Sequence, residues 1–340
     1  MRILIIGGTG TISTAITRRL LANGADLTLY NRGNTPVPGV KVITGNRYDH
    51  SAFEAHMAAA GEFECVIDMI AYHPGDVRSA LRTFAGRVTQ YIFCSTVDVY
   101  AKAPHSYPIR EDHPREANPE FQYAYEKIEC ELLLEEAAAG GAFALTILRP
   151  AATYQDAWTP IPLIGSGPAW LKRVRDGKPI IILGDGTSFW TSSHREDVGA
   201  AFVEAIGNTK AYGKAYNVSG DEWLTWEDYY RTAGRVMDAP PLQLVPIPAD
   251  LLRRMAPRSA EWCALNFKFN NIFDNSAAKT DLGYRYTITW EEGVRRMLAY
   301  HQTRGSIEAS QPEPLYDHIV EAWERFSQSL VEELAPLDNK

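Results

Sequence analysis

Along the first 150 residues, short and nearly unbroken apolar runs alternate with segments in which apolar residues recur every three or four positions. The runs are RILIIG (2–7), ADLTLY (25–30), VKVIT (40–44), ECVIDMI (64–70), TQYIFCS (89–95) and FALTILR (143–149). Their continuous apolar character suits strands buried on both faces. The segments near 12–22, 50–60, 75–85 and 122–139 carry the helical period. Strands alternating with helices predict an α/β domain over 1–155, a parallel sheet wrapped by helices on both sides. After Pro150 the alternation fails, and proline-rich stretches such as TPIPLIGSGP interrupt a mixture of strand and helix patterns. A smaller mixed α/β substrate domain is expected over 156–305, with some later segments returning to the first domain. Residues 306–340 read as a linker followed by one amphipathic helix.

The first run leads into GGTGTIS and then directly into a helical segment. In that strand–turn–helix context, Gly7 and Gly10 let the backbone turn tightly and approach a pyrophosphate, whose charge sits at the helix N-terminus beside Thr11 and Ile12. The sheet is therefore expected to be doubly wound and of the Rossmann type. Ser13 stands where the pattern has its third glycine, a small addition where helix and strand pack. The second strand ends in YNRG, with Asn31 and Arg32 where an acid would bind the ribose 2′-hydroxyl of NAD. Asn31 does not repel a 2′-phosphate and Arg32 can pair with one, so NADP is favoured over NAD.

In FQYAYEKIECE, a helix sets Tyr123 and Lys127 on one face and turns Tyr125 about 200° away from Tyr123. A lysine ammonium beside a phenol favours the phenolate, so Tyr123 is a candidate proton carrier and Tyr125 is expected to pack.

Composition narrows the partners. The 340 residues carry a formal charge of −8, which argues against a nucleic-acid surface. Cys65, Cys94, Cys130 and Cys263 have no ligand spacing, which points to a reducing compartment and no bound metal. With no basic leader and no run of membrane length, the expectation is a cytoplasmic protein without a membrane partner.

Taken together, GGTGTIS, Thr96 four residues before Tyr100, Tyr123 four before Lys127, LRP (148–150), GDG (184–186), and His194 followed by Asp197 resemble the extended short-chain dehydrogenase/reductase family, in its NAD-dependent epimerase/dehydratase group. The resemblance spans roughly residues 1–300. It implies that Tyr123 is the catalytic acid/base, that Lys127 holds the nicotinamide ribose and depresses the tyrosine's pKa, and that Thr96 binds the same substrate oxygen. It further implies that Asn46, Ala71 and Pro150 join the glycine loop, Asn31 and Arg32 in holding the dinucleotide. A homodimer through the helices near 75–85 and 122–139 is the family's arrangement.

The chain departs from the family pattern in three respects. Trp190 replaces the arginine, and Ala152 the asparagine, with which nucleotide-sugar epimerases grip a diphosphate. One lost charge-assisted phosphate contact costs about 1.5–3 kcal/mol. An indole at 190 would instead offer a flat face to a sugar ring. His73, Trp158 and Trp223 are further candidates for the substrate pocket. The family's dehydratase acid–base pair is reduced to Val97 and Asp98, which disfavours simple dehydration but leaves Asp98 as a candidate second proton carrier. The expected function is an NAD(P)-dependent epimerase or oxidoreductase moving hydride at a secondary alcohol or ketone of a sugar-like substrate. The alternatives are a dinucleotide-bound RNA-binding or regulatory protein of the same fold, and a nucleotide-sugar epimerase whose diphosphate grip has moved to Lys172, Arg173 and Arg175.

Overall fold

The computed structural model describes residues 1–159, 164 and 167–338. Of the TPIPLIGSGP stretch, residues 160–163, 165 and 166 lie outside the described residues. The chain divides into two compact units, one built from 1–154, 191–222 and 272–289, the other from 155–190, 223–271 and 290–340.

The first unit is built on β1 (Arg2–Ile6), β2 (Asp26–Asn31), β3 (Lys41–Thr44), β4 (Cys65–Asp68), β5 (Gln90–Cys94) and β6 (Ala144–Pro150). Together with the strand Lys214–Val218 they form one seven-stranded sheet. From one edge the order is β3, β2, β1, β4, β5, β6 and then Lys214–Val218, and every pairing is parallel. The order reverses between β1 and β4, which is where an open sheet of this kind forms its crevice, at the carboxyl ends of the strands. The crossovers are α1 (Thr11–Ala22), α2 (His50–Ala60), α3 (Pro74–Phe84) and α4 (Gln122–Ala139). One apolar cluster joins α1 and the helix Arg195–Ala205 to one face of the sheet, and a second joins α2, α3 and α4 to the other. Gly199 lets α1 and the helix Arg195–Ala205 touch, since a Cβ there would lie 2.8 Å from the Cβ of Ala15.

Strand β4 stops at Asp68 although the apolar run continues to Ile70. The Asp68 carboxylate accepts hydrogen bonds from the Ile70 and Ala71 N–H groups at 3.1 and 3.0 Å, folding the chain away from the ladder.

In the second unit the strand Ile180–Leu183 pairs in parallel with Leu244–Ile247. The helices Trp226–Val236 and Trp290–Gln302 enclose an aromatic core of Trp170, Trp190, Trp226, Tyr229, Phe267 and Trp290. Among the described residues, no helix is long and apolar enough to cross a membrane.

Candidate active site

The turn after β1 has the shape of a phosphate cradle. Gly7 and Gly8 have φ of 117° and 98°, and a Cβ on Gly8 would fall 2.7 Å from Leu29 Cδ2. Gly10 caps α1, and its N–H donates to Ser13 Oγ at 2.9 Å. The serine in the third-glycine position therefore helps to fix the loop. The first intrahelical bond runs from Thr14 N to Gly10 O at 3.0 Å, so the N–H groups of Thr11, Ile12 and Ser13 precede it. No acid lies in that first turn to compete for an anion. The side chain of Ile12 packs against the sheet core below.

The neighbouring strand ends complete the crevice. Asn31 Nδ2 donates to Gly7 O at 3.0 Å while Asn31 Oδ1 accepts from Gly33 N at 2.8 Å, so this side chain ties the end of β2 to the glycine turn. Arg32 is exposed beside it. Asn46, also exposed, accepts from Tyr48 N at 3.2 Å after β3. Pro150 is buried at the end of β6. These features fit a nicotinamide dinucleotide, with its pyrophosphate at the α1 N-terminus.

Lys127 is 1% exposed and projects from the inner face of α4. Its Nζ donates to Ala71 O at 3.0 Å and to Cys94 O at 2.8 Å, and lies over the rings of Tyr72 and Phe93 at 4.8 and 4.7 Å. Two carbonyls and two ring faces make the buried ammonium tolerable, although burial lowers its pKa from the usual lysine value. Tyr123 is partly buried on the same face. Tyr125 is 46% exposed and faces solvent, contrary to the expectation that it packs.

Thr96 follows β5 and caps a short 3₁₀ turn, Val97–Val99, that carries Asp98. Thr96 Oγ1 donates to Asp98 Oδ2 at 3.1 Å and accepts from Asp98 N at 3.2 Å. The Tyr123 phenol hydrogen-bonds to the same threonine. Lys102 Nζ lies 3.8 Å from Asp98 Oδ1, with both side chains largely buried. Burial lowers the Lys102 pKa, and the Asp98 charge partly offsets the shift.

Here the geometry corrects an expectation. Burial first, then the Asp98 charge, push the Tyr123 phenol well above 10. The result is the opposite of the expected depression, and the Lys127 ammonium is directed at the two carbonyls. The sequence reading missed Lys102, and it also missed Asp68, whose carboxylate fixes the Ala71 peptide that receives Lys127. The motifs flag neither residue.

The other candidates fall in varied settings. His73 caps α3 and its Nδ1 meets Glu126 Oε2 at 2.5 Å. Ala152 begins the strand Ala152–Tyr154, paired with Ser192. Trp190 was expected as an open sugar platform, but it is 4% exposed, with its ring stacked 5.2 Å from Trp226 and edge-on to Phe267 at 4.7 Å. Aromatic packing of the second unit claims the face that a sugar would need. Trp158 and Trp223 are both exposed in that unit. Lys172 pairs with Asp176, Arg173 with Asp317, and Arg175 with Asp176 and Glu308, so each cation already has an acidic partner. His194 caps the helix Arg195–Ala205. Asp197 accepts from Thr287 N, Thr287 Oγ1 and Ile288 N at 2.6–2.9 Å, which is a structural role.

A family model described as the NAD dependent epimerase/dehydratase family matches residues 76–219. The 2'-dehydrokanamycin reductase of Streptomyces kanamyceticus is 25% identical over 277 residues, 81% of this chain and 77% of that protein. The chloroplast stem-loop binding protein of 41 kDa b from Arabidopsis thaliana is 26% identical over 260 residues, 72% of this chain and 65% of that protein. A solved structure of UDP-glucose 4-epimerase from Thermotoga maritima, with UDP-glucose, matches at a TM-score of 0.72 and 19% identity, covering 89% of this chain and 99% of that one. The epimerase Mth375 of Methanothermobacter thermautotrophicus matches at 0.73 and 15% identity, covering 91% and 94%. At such identities the structural matches bear on the fold.

Proposed function

From the premise that the chain belongs to the NAD dependent epimerase/dehydratase family of extended short-chain dehydrogenase/reductase enzymes, we propose that it moves hydride at a secondary alcohol or ketone of a sugar-like compound, with Tyr123 as the proton carrier. Support comes above all from the convergence of Thr96, Tyr123 and the buried Lys127 beside the glycine cradle. When bound, the dinucleotide supplies the hydride acceptor or donor. Lys127 is fixed between Ala71 O and Cys94 O and would present its remaining N–H to the ribose, while Tyr123 Oη meets the substrate oxygen. Asn31 leaves room for a 2′-phosphate and Arg32 can pair with it, which favours NADP, with NAD as the alternative.

The substrate class we favour carries no nucleotide diphosphate: a free sugar, glycoside or related polyol. Trp190 and Ala152 lack the charge such a group needs, and Lys172, Arg173 and Arg175 are already engaged with acids. The relative named 2'-dehydrokanamycin reductase agrees with this class, whereas the structure named for UDP-glucose does not. The name of the Arabidopsis relative raises RNA binding as a second reading, against which the charge of −8 weighs.

The test is a panel of sugars, glycosides and polyols, with UDP-glucose and dTDP-glucose included, assayed for turnover by dinucleotide absorbance and for binding by thermal shift. Turnover of a compound lacking a diphosphate is expected. Saturable stabilisation by the nucleotide sugars alone, or tight salt-sensitive retention of structured RNA without turnover of any compound, refutes the reading.

A further inference from the structure

The helix Pro314–Asp338 is anchored at one end only. Tyr316, Ile319 and Val320 are buried in the second unit, where Tyr316 Oη accepts from Ile181 N at 2.6 Å and Asp317 pairs with Arg173 at 2.7 Å. Gln243 Nε2 reaches Glu324 Oε1 at 3.1 Å, and beyond Ser327 every residue to Asp338 is exposed. The apolar stripe does not stop where the contact does. At about 100° per residue, Leu330, Val331, Leu334 and Leu337 lie within about 60° of Tyr316 around the helix axis, so the face that docks at the base continues along the projecting part. These four and Phe326 are 49–66% exposed. They offer roughly 500–600 Å² of apolar surface, the upper end of what a monomer leaves bare, and two copies reach the roughly 1,000–1,200 Å² at which specific interfaces begin.

Spacing identifies what covers this face. Trp323, Phe326, Leu330, Leu334 and Leu337 follow one another at intervals of three, four, four and three residues, a seam symmetric about Leu330. Trp323 and Leu334 are eleven residues apart, as are Phe326 and Leu337, which is close to three full helical turns and keeps the seam on one side.

We propose that this segment is an interface for a second copy of the same chain, the two helices pairing antiparallel about a two-fold axis through Leu330. Leu330 then meets its own copy, Phe326 meets the partner's Leu334, and Leu337 meets the partner's Trp323, so each apolar position of the seam finds an apolar one. Charge agrees with that direction. The Arg325 guanidinium lies over the Phe326 ring at 5.0 Å, on the flank of the seam that also carries Glu333. The axis sets the partner's Glu333 opposite Ser327, two residues from Arg325, and symmetry makes the pair twice. Parallel pairing would instead set each Glu333 beside its copy, which like charge disfavours. A lipid surface fits less well, because residues 326–338 hold Glu332, Glu333 and Asp338 but no Lys, Arg or His. The helix belongs to the second unit, so this contact is separate from the pairing through α3 and α4 that the family resemblance implies.

Cross-linking of the full chain tests the register. Cys65, Cys94, Cys130 and Cys263 are all buried, so a thiol introduced on the helix reports alone. Leu330→Cys should form an intermolecular disulfide under mild oxidation without denaturant, because the axis puts position 330 beside itself. Gln328→Cys, about 160° away around the helix, should not. Sedimentation velocity of the reduced protein over a concentration series measures the association. Leu330→Glu/Leu334→Glu should raise its dissociation constant at least tenfold with circular dichroism and Tm unchanged, since both side chains are exposed in the single chain. Arg325→Glu and Glu333→Arg should each weaken the association, and Arg325→Glu/Glu333→Arg should restore it, which unspecific apolar contact would not do. A Leu330→Cys chain that forms no intermolecular disulfide, a dissociation constant unmoved by Leu330→Glu/Leu334→Glu, or a charge exchange that fails to restore association overturns the proposal. Flotation with phosphatidylcholine/phosphatidylserine vesicles that Leu330→Glu/Leu334→Glu abolishes, without a disulfide from Leu330→Cys, overturns it in favour of a lipid surface.

Discussion

The substitution Glu131→Gln tests what holds the two elements of the candidate site together. Glu131 is fully buried on α4, one turn beyond Lys127. It receives Arg149 Nε at 2.9 Å and Arg149 Nη2 at 2.7 Å from β6, and Arg115 Nη1 at 2.7 Å. Arg149 Nη1 continues to the Tyr100 hydroxyl at 2.8 Å, and Tyr100 Oη donates to Asn217 Oδ1 at 2.7 Å. One guanidinium thus ties the helix bearing Tyr123 and Lys127 to the segment bearing Thr96 and Asp98. Glutamine keeps the shape but removes the charge, leaving Arg149 buried without its counter-ion, while Arg115 retains Glu135 at 2.9 Å. Removing one partner of a buried pair costs about 3–5 kcal/mol, a large share of a typical stability of about 5–15 kcal/mol. At about 2–4 °C per kcal/mol for a unit of this size, Tm should fall by about 6–20 °C.

The sign with pH follows from the same bonds. Although burial alone would raise the Glu131 carboxyl, the hydrogen bonds and charge of Arg149, with Ser95 and Arg115, hold it below 4.5. Its contribution is present in full above about pH 4.5, the unfolded value, and is lost as pH falls through the lower folded pKa. The parent and Glu131→Gln curves should therefore converge in acid. Urea unfolding at several pH values measures this, with Glu131→Gln/Arg149→Met expected to lose less than the two single losses summed. A Glu131→Gln loss under about 1 kcal/mol, the range of an exposed ion pair, would refute the claim that this network holds α4 in place.

Three further outcomes are expected. Tyr123→Phe should abolish turnover of any panel substrate with dinucleotide affinity nearly unchanged, while Tyr125→Phe, altering an exposed ring, should leave both intact; steady-state kinetics and calorimetry check this. Arg32→Ala should weaken NADP by about 1.5–3 kcal/mol and NAD hardly at all, whereas equal affinities in the parent would sink the preference. Gly8→Ala should destroy dinucleotide binding as read by fluorescence titration, because its methyl group would collide with Leu29 in a turn at φ 98°.

The fold was legible where the signal is local. Each apolar run before residue 150 became a strand of the parallel sheet; burial on two faces explains the uninterrupted apolar character of the inner ones, whereas β3 is an exposed edge strand. The overrun at β4 came from a single side chain: hydropathy continues through Met69 and Ile70, but the Asp68 carboxylate captures the N–H groups of Ile70 and Ala71. Tyr123 and Lys127 share a face because helical spacing alone decides it. Where the Lys127 ammonium is directed depends on Ala71 and Cys94, which lie far away in sequence.

That distinction between position and direction also accounts for Trp190 and Lys102. Motif spacing located Trp190 four residues before His194, but the aromatic neighbours that claim its ring, Trp226 and Phe267, come from later segments of the second unit. Lys102 carries no motif, and its value comes from lying four residues after Asp98 on a chain that turns back toward it. A phenol pushed up by burial and the Asp98 charge, a threonine bonded to that carboxylate, and a lysine beside it come together only in the folded chain.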